Sequence, residues 1–162
     1  MSSRRTGARS IAWPRTNHEG QPLDGGSSQP DLIYIEWEEA LALFAEIRGL
    51  SLEAAVSELR DVGLLQSAMA RPRHAAQYAE ADIAEQAATL LWGIAQNQPF
   101  VDGNKRTALV VTLTFLELNG YRLDFSQDQL ADLLFEIADG LSVLEVGARL
   151  RSQLRARDRG EP

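Results

Sequence analysis

Asp102, Gly103, Asn104, Lys105 and Arg106 place a carboxylate, a glycine, an amide and two cations side by side, just before the largely apolar run 108–118. That order suits a helix start that receives an anion. A helix N-terminus carries unpaired N–H groups and a partial positive charge. Gly103 would let the backbone approach a ligand closely. Lys105 and Arg106 add two full charges, and together these features suit a polyphosphate. Asp102 would repel a bare phosphate. With Mg²⁺ it becomes useful, because magnesium takes one or two carboxylates together with phosphate oxygens. A plainer reading stands beside this one. Asp102-Gly103 is also an ordinary turn, Asn104 an ordinary cap, and Lys105 and Arg106 an ordinary solvated pair.

The elements that must position these residues read as helices. Trp37, Ala40, Leu41, Phe44 and Ile47 recur at three- and four-residue steps, after a short extended entry over 32–35. Ser51, with Glu53 in the first turn, opens a short helix to about Arg60. A further helix over "GLLQSAMA" is expected to end at Pro72, since proline removes a helix hydrogen bond. Residues 71–81 then read as a loop or flap. Ile83, Ala87, Leu90, Leu91 and Ile94 form the next stripe, and Pro99 forbids its simple continuation. The helix from Asn104 to Leu118 is apolar all round and is expected to be central and buried, with Asn119-Gly120 as its stop. Ser126 with Gln129, and Ser142 with Glu145, are capping-box patterns that open the last two helices. The arginine-rich end reads as a solvated helix terminus. Trp37, Trp92, Phe115 and Phe135 read as core, Tyr121 and Phe125 as packing residues, and Glu117 as a satisfied carboxylate. The fold class is all-α, with six or seven helices.

Composition sets bounds. The 162 residues suggest one domain, and a hydrophobic fraction of 44% can build a real core. The net charge of -7 argues against general affinity for nucleic acid or an anionic membrane. There is no cysteine, which removes disulfides and thiol chemistry and fits a reducing, cytoplasmic setting. No signal peptide or bilayer-spanning run is evident. Residues 1–30, rich in Ser, Gly, Pro and Arg, read as a disordered arm ahead of a domain over 31–158.

"PFVDGNKRTAL", residues 99–109, resembles the signature of the Fic/Doc superfamily, His-x-Phe-x-Asp/Asn-Gly/Ala-Asn-Lys-Arg, and specifically its Doc (death-on-curing) branch. "GLLQSAMARP" and "TFLELNGYRLDF" resemble Doc segments in the same order, so the likeness covers roughly 32–155. It implies a Fic-fold helical domain that binds ATP and Mg²⁺ and modifies a hydroxyl on a translation factor, such as an elongation factor. The modification would be phosphorylation, or AMP transfer as the near variant. It also implies a toxin–antitoxin pair, with a Phd-like antitoxin acting in trans. Carried over by position, Phe100 would anchor the loop and Asp102 would hold Mg²⁺. Gly103 and Asn104 would shape and line the phosphate cradle. Lys105 and Arg106 would bind phosphates and stabilise developing charge.

Gln98 departs from the signature, which begins with a histidine that takes the proton from the target hydroxyl. An amide can orient a hydroxyl but has no useful basicity. Losing a general base costs about 10²–10⁴-fold in rate. Three functions are compatible with this: an impaired transferase, a degenerate nucleotide- and partner-binding pseudoenzyme, or an enzyme turned to other chemistry on a small molecule. Only two histidines, His18 and His74, exist to replace the base. His74 falls in the expected flap and is the candidate flap residue, with an exposed loop histidine as its plainer reading.

Overall fold

The structure is a computed structural model that describes residues 31–158. The chain divides into two compact units, Met1–Tyr34 and Ile35–Pro162. Of the first, only Asp31–Tyr34 is described, and it contains neither helix nor strand. The expected disordered arm and His18 lie outside the described residues.

The second unit is helical, as the periodicity requires. Its elements are α1 (Trp37–Arg48), α2 (Leu52–Ser57), α3 (Val62–Ala79), α4 (Ile83–Asn97), α5 (Asn104–Leu118), β1 (Tyr121–Leu123), α6 (Gln127–Ala138), α7 (Val143–Gln153) and β2 (Leu154–Ala156). Several boundaries have a local cause. The Ser51 hydroxyl accepts the Ala54 N–H, and Asp61 accepts the Gly63 N–H. Asp82/Glu85, Ser126/Gln129 and Ser142/Glu145 all form reciprocal capping boxes. Gly49, with φ 64°, closes α1 in the left-handed region that glycine adopts cheaply.

The helix α3 corrects the expected break at Pro72 and the expected flap over 71–81. It runs through Pro72 to Ala79, and only residues 80–82 link it to α4. An interior proline forfeits one hydrogen bond and crowds the carbonyl four residues back. Here that residue is Ala68, and Pro72 itself is buried. Burial of the ring and the good helix formers Ala70, Ala75, Ala76 and Ala79 offset the loss. The mixed polarity of 71–79 reflects one buried and one solvated face.

Helix α4 packs against α3, α5, α6 and α7. It buries Ala84, Gln86, Ala87, Ala88, Leu90, Leu91, Gly93 and Ile94. The centre therefore lies on α4 as much as on α5. Helix α5 buries Thr107, Ala108, Val111, Thr112, Phe115 and Leu116, while Leu109, Val110 and Leu113 remain half-buried. At the chain's end the expected helix terminus gives way to a two-stranded antiparallel ribbon, in which Leu123 faces Leu154 and Tyr121 faces Ala156. Three-residue strands are too short to show a period in sequence. Glu117 is satisfied as expected, by Arg157 at 2.9 Å.

Candidate active site

The loop between α4 and α5 is built from both ends. At its start, Gln98 caps α4 with φ 46°. A non-glycine residue in this region costs about 1 kcal/mol or more, so surrounding bonds must hold it. Arg60 supplies them. Its guanidinium donates to the Gln98 carbonyl at 2.9 Å, and its backbone N–H donates to the Pro99 carbonyl at 2.8 Å. The Val101 N–H donates to the Glu58 carbonyl at 2.9 Å, and Leu59 bridges Phe100. Residues 58–60 and 99–101 thus form a short antiparallel pair that ties the loop to the end of α2.

Phe100 drives the loop inward. It is fully buried and stacks on Phe44 of α1, with ring centroids 3.8 Å apart and planes 7° apart. Asn104 then locks the turn. Its Oδ1 accepts the Phe100 N–H at 2.9 Å, and its Nδ2 donates to the Phe100 carbonyl at 2.8 Å. The Asn104 amide, expected to shape and line the cradle, is bonded at both ends to the Phe100 backbone and so shapes the loop.

Gly103 is the N-cap of α5, with φ 81°. A β-carbon there would meet only ordinary contacts, at 3.5 Å from Arg48 Cδ and 3.6 Å from Phe44 Cε2. The positive φ, and not crowding, is what calls for glycine. The Gly103 carbonyl accepts both the Thr107 N–H at 3.0 Å and the Thr107 hydroxyl at 2.8 Å. No side chain caps α5. The N–H groups of Asn104, Lys105 and Arg106 have no hydrogen-bond partner among the described residues. Three donors and the positive end of the helix dipole thus face outward together.

Charged groups ring this open turn. Asp102 is 75% exposed; its Oδ1 accepts the Gly103 N–H at 2.8 Å, and its Oδ2 lies 3.4 Å from Arg48 Nη1. Lys105 extends its ammonium over the Phe135 ring, 4.7 Å from the centroid. Phe135 is 62% exposed, which corrects its assignment to the core: it lies on the face of α6 opposite Leu133, Leu134 and Ile137. Arg106 is exposed and forms no ion pair among the described residues. The arrangement fits an anion at the turn. No group of three or more His, Cys, Asp or Glu side chains among the described residues could hold a metal alone. Asp102 could still hold magnesium that arrives with phosphate oxygens, which needs only one or two protein carboxylates.

Seven of the expected site residues, Gln98, Phe100, Asp102, Gly103, Asn104, Lys105 and Arg106, thus share one loop and the first turn after it. His74 stands apart. It projects exposed from α3, and its ring meets Tyr78 edge-on at 6.1 Å. Sequence reasoning missed Arg48, Glu58, Arg60 and the position of Phe135. The cation closing α1 and the apolar Leu59 near Phe100 carried no spacing signal that would link them to the loop.

Comparison with known proteins identifies the family. The model of the Fic/DOC family matches residues 34–116. The chain is 44% identical over 85 residues to the protein named Toxin Doc from Mycolicibacterium smegmatis, covering 50% of this chain and 65% of that one. The match therefore spans just under two thirds of that relative. It is 35% identical over 120 residues to the Protein kinase doc of Escherichia phage P1, covering 73% of this chain and 93% of that one. Among the described residues no helix is long and apolar enough to cross a membrane. The all-α architecture, the pinned loop, the open turn of α5 and these matches lead to one conclusion: the chain is a Doc-like member of the Fic/DOC family.

Proposed function

We propose that this chain is a toxin that uses ATP with Mg²⁺ to modify a hydroxyl on a translation factor, such as an elongation factor, and that an antitoxin in trans restrains it. The transferred group is a phosphoryl group, with AMP transfer as the near variant. One observation carries the reading: the first turn of α5 leaves three N–H groups open beside Asp102, Lys105 and Arg106, on a loop fixed by Phe100 and Asn104. The names of the two relatives, a toxin and a protein kinase, support the class of activity.

ATP supplies the transferred group, and the chain's residues orient it. The N–H groups of Asn104, Lys105 and Arg106 would donate to phosphate oxygens. Lys105 and Arg106 would offset charge that develops during transfer. Asp102 would hold magnesium through Oδ2, its more open oxygen. Gln98, held at the loop's mouth by Arg60, would accept a hydrogen bond from the incoming hydroxyl and orient it. The hydroxyl oxygen bonds to the γ-phosphorus as the bond to the ADP leaving group breaks; the Gln98 amide cannot take the hydroxyl proton, which passes to solvent water, so the reaction is expected to be slow by about 10²–10⁴-fold relative to a histidine at that position.

The test is transfer of label into proteins of a bacterial extract, with ATP labelled at the γ- or the α-phosphate. Slow γ-labelling of one protein, lost in Lys105→Ala and Asp102→Asn, is the expected result. Labelling from the α-phosphate would name AMP as the group moved. No labelling, with nucleotide binding intact by calorimetry, would overturn transfer and leave a nucleotide-binding protein.

A further inference from the structure

Arg48 closes α1, one turn after the Phe44 that stacks on Phe100. Its aliphatic stem lies along Gly103, and its guanidinium is shared between two carboxylates. Nη1 is 3.4 Å from Asp102 Oδ2, and Nη2 is 3.6 Å from Glu58 Oε2. Both distances exceed the roughly 2.7–2.9 Å of a tight charged hydrogen bond. Arg48 is therefore bound firmly to neither. Its side chain is 34% exposed and that of Glu58 30%, against 75% for Asp102. The Asp102 oxygen that Arg48 approaches is the one left open after Oδ1 accepts the Gly103 N–H.

We propose that Arg48 is a positioning residue that competes with a divalent cation for Asp102, and that Glu58 draws it away. The inference rests on the reading of Asp102 as the magnesium carboxylate. In the free protein, Arg48 neutralises Asp102 and occupies its Oδ2 at the edge of the open turn. When a metal–nucleotide enters, the Asp102 oxygen turns to the metal and the guanidinium moves the short distance to Glu58. Two weak contacts suit this exchange, because a tight pair would exclude the metal and an unpaired Asp102 would repel the phosphates. Glu58 is well placed as the second partner, since its own carbonyl already accepts the Val101 N–H of the same loop.

The test measures how strongly Mn²⁺ strengthens binding of the β,γ-imido analogue of ATP, by calorimetry with and without the metal. This coupling is reciprocal between metal and nucleotide, so it isolates the metal contact from nucleotide affinity itself. Arg48→Gln is expected to raise the coupling roughly two- to fivefold, the size of a partly exposed ion pair. Arg48→Lys, which keeps the charge, should stay near the original value. Glu58→Gln should lower the coupling, and should have no effect when Arg48→Gln is already present. A purely structural Arg48 would instead weaken nucleotide binding with and without metal alike, and that result would overturn the proposal. So would coupling in the original protein that neither variant changes. If Mn²⁺ gives no coupling at all, or Asp102→Asn leaves it intact, the magnesium assignment of Asp102 fails and this inference fails with it.

Discussion

Asn104 is hydrogen-bonded twice to the backbone of Phe100, once as acceptor at 2.9 Å and once as donor at 2.8 Å. The residue that starts α5 therefore also fixes the buried anchor of the loop before it. Asn104→Ala removes both bonds and leaves a part-buried N–H and carbonyl without their partner. At about 1 kcal/mol per bond, the cost is expected to be about 2 kcal/mol in denaturant unfolding. Nucleotide binding should fall further than this loss of stability alone implies, because the open turn of α5 loses its fixed approach. Unchanged affinity in a folded Asn104→Ala protein would show that the loop is held without it.

Thr112 offers a test of the core. It is 1% exposed, and its hydroxyl has no hydrogen-bond partner among the described residues. A buried hydroxyl without a partner loses its hydration for nothing. Thr112→Val keeps the branched shape and removes that oxygen. It should stabilise the protein by about 1 kcal/mol in chemical denaturation. Destabilisation would mean that the hydroxyl has a partner, such as a buried water.

Glu145 gives a dependence on pH. Its carboxylate sits below the ordinary 4.5, first because it accepts the Ser142 N–H, then because it accepts the Ser142 hydroxyl, with Arg149 adding a smaller push. Folding thus favours the charged form. The resulting stabilisation is complete above the unfolded value of 4.5 and is lost as pH falls through the depressed folded value. The stability difference between the original protein and Glu145→Gln should accordingly shrink on the acid side of this window. A difference that is flat across it would remove the capping carboxylate from the account.

Much of the fold was legible because strong local signals agreed. The capping boxes at Ser126 and Ser142 and the stripes of α1 and α4 all lie where spacing and chemistry place them. Pro72 misled because its penalty is local while its compensation, burial of the ring, is tertiary. Phe135 misled for the converse reason: it follows buried Leu133 and Leu134 but projects to the opposite side, where it meets Lys105. The residues of the loop could be read because they are contiguous. Arg48 and Arg60 could not, since they reach the loop across 54 and 38 residues of chain. No period links them to it. Asn104 shows the limit of residue chemistry within the motif itself, because its type did not reveal that both ends of its amide are engaged by Phe100.

The most direct measurement is the rate of γ-phosphoryl transfer from ATP by the original chain and by Gln98→His, at equal concentration and against the same labelled target band. Gln98 sits at the mouth of the loop with its carbonyl fixed by Arg60, so a histidine there should inherit the same backbone position. The expected result is transfer by both proteins, with Gln98→His faster by about 10²–10⁴-fold, and loss of both activities in Lys105→Ala. Equal rates would show that proton removal at this position does not limit the reaction. No transfer by Gln98→His, with nucleotide still bound, would contradict the central claim that the turn of α5 is built to transfer a phosphoryl group.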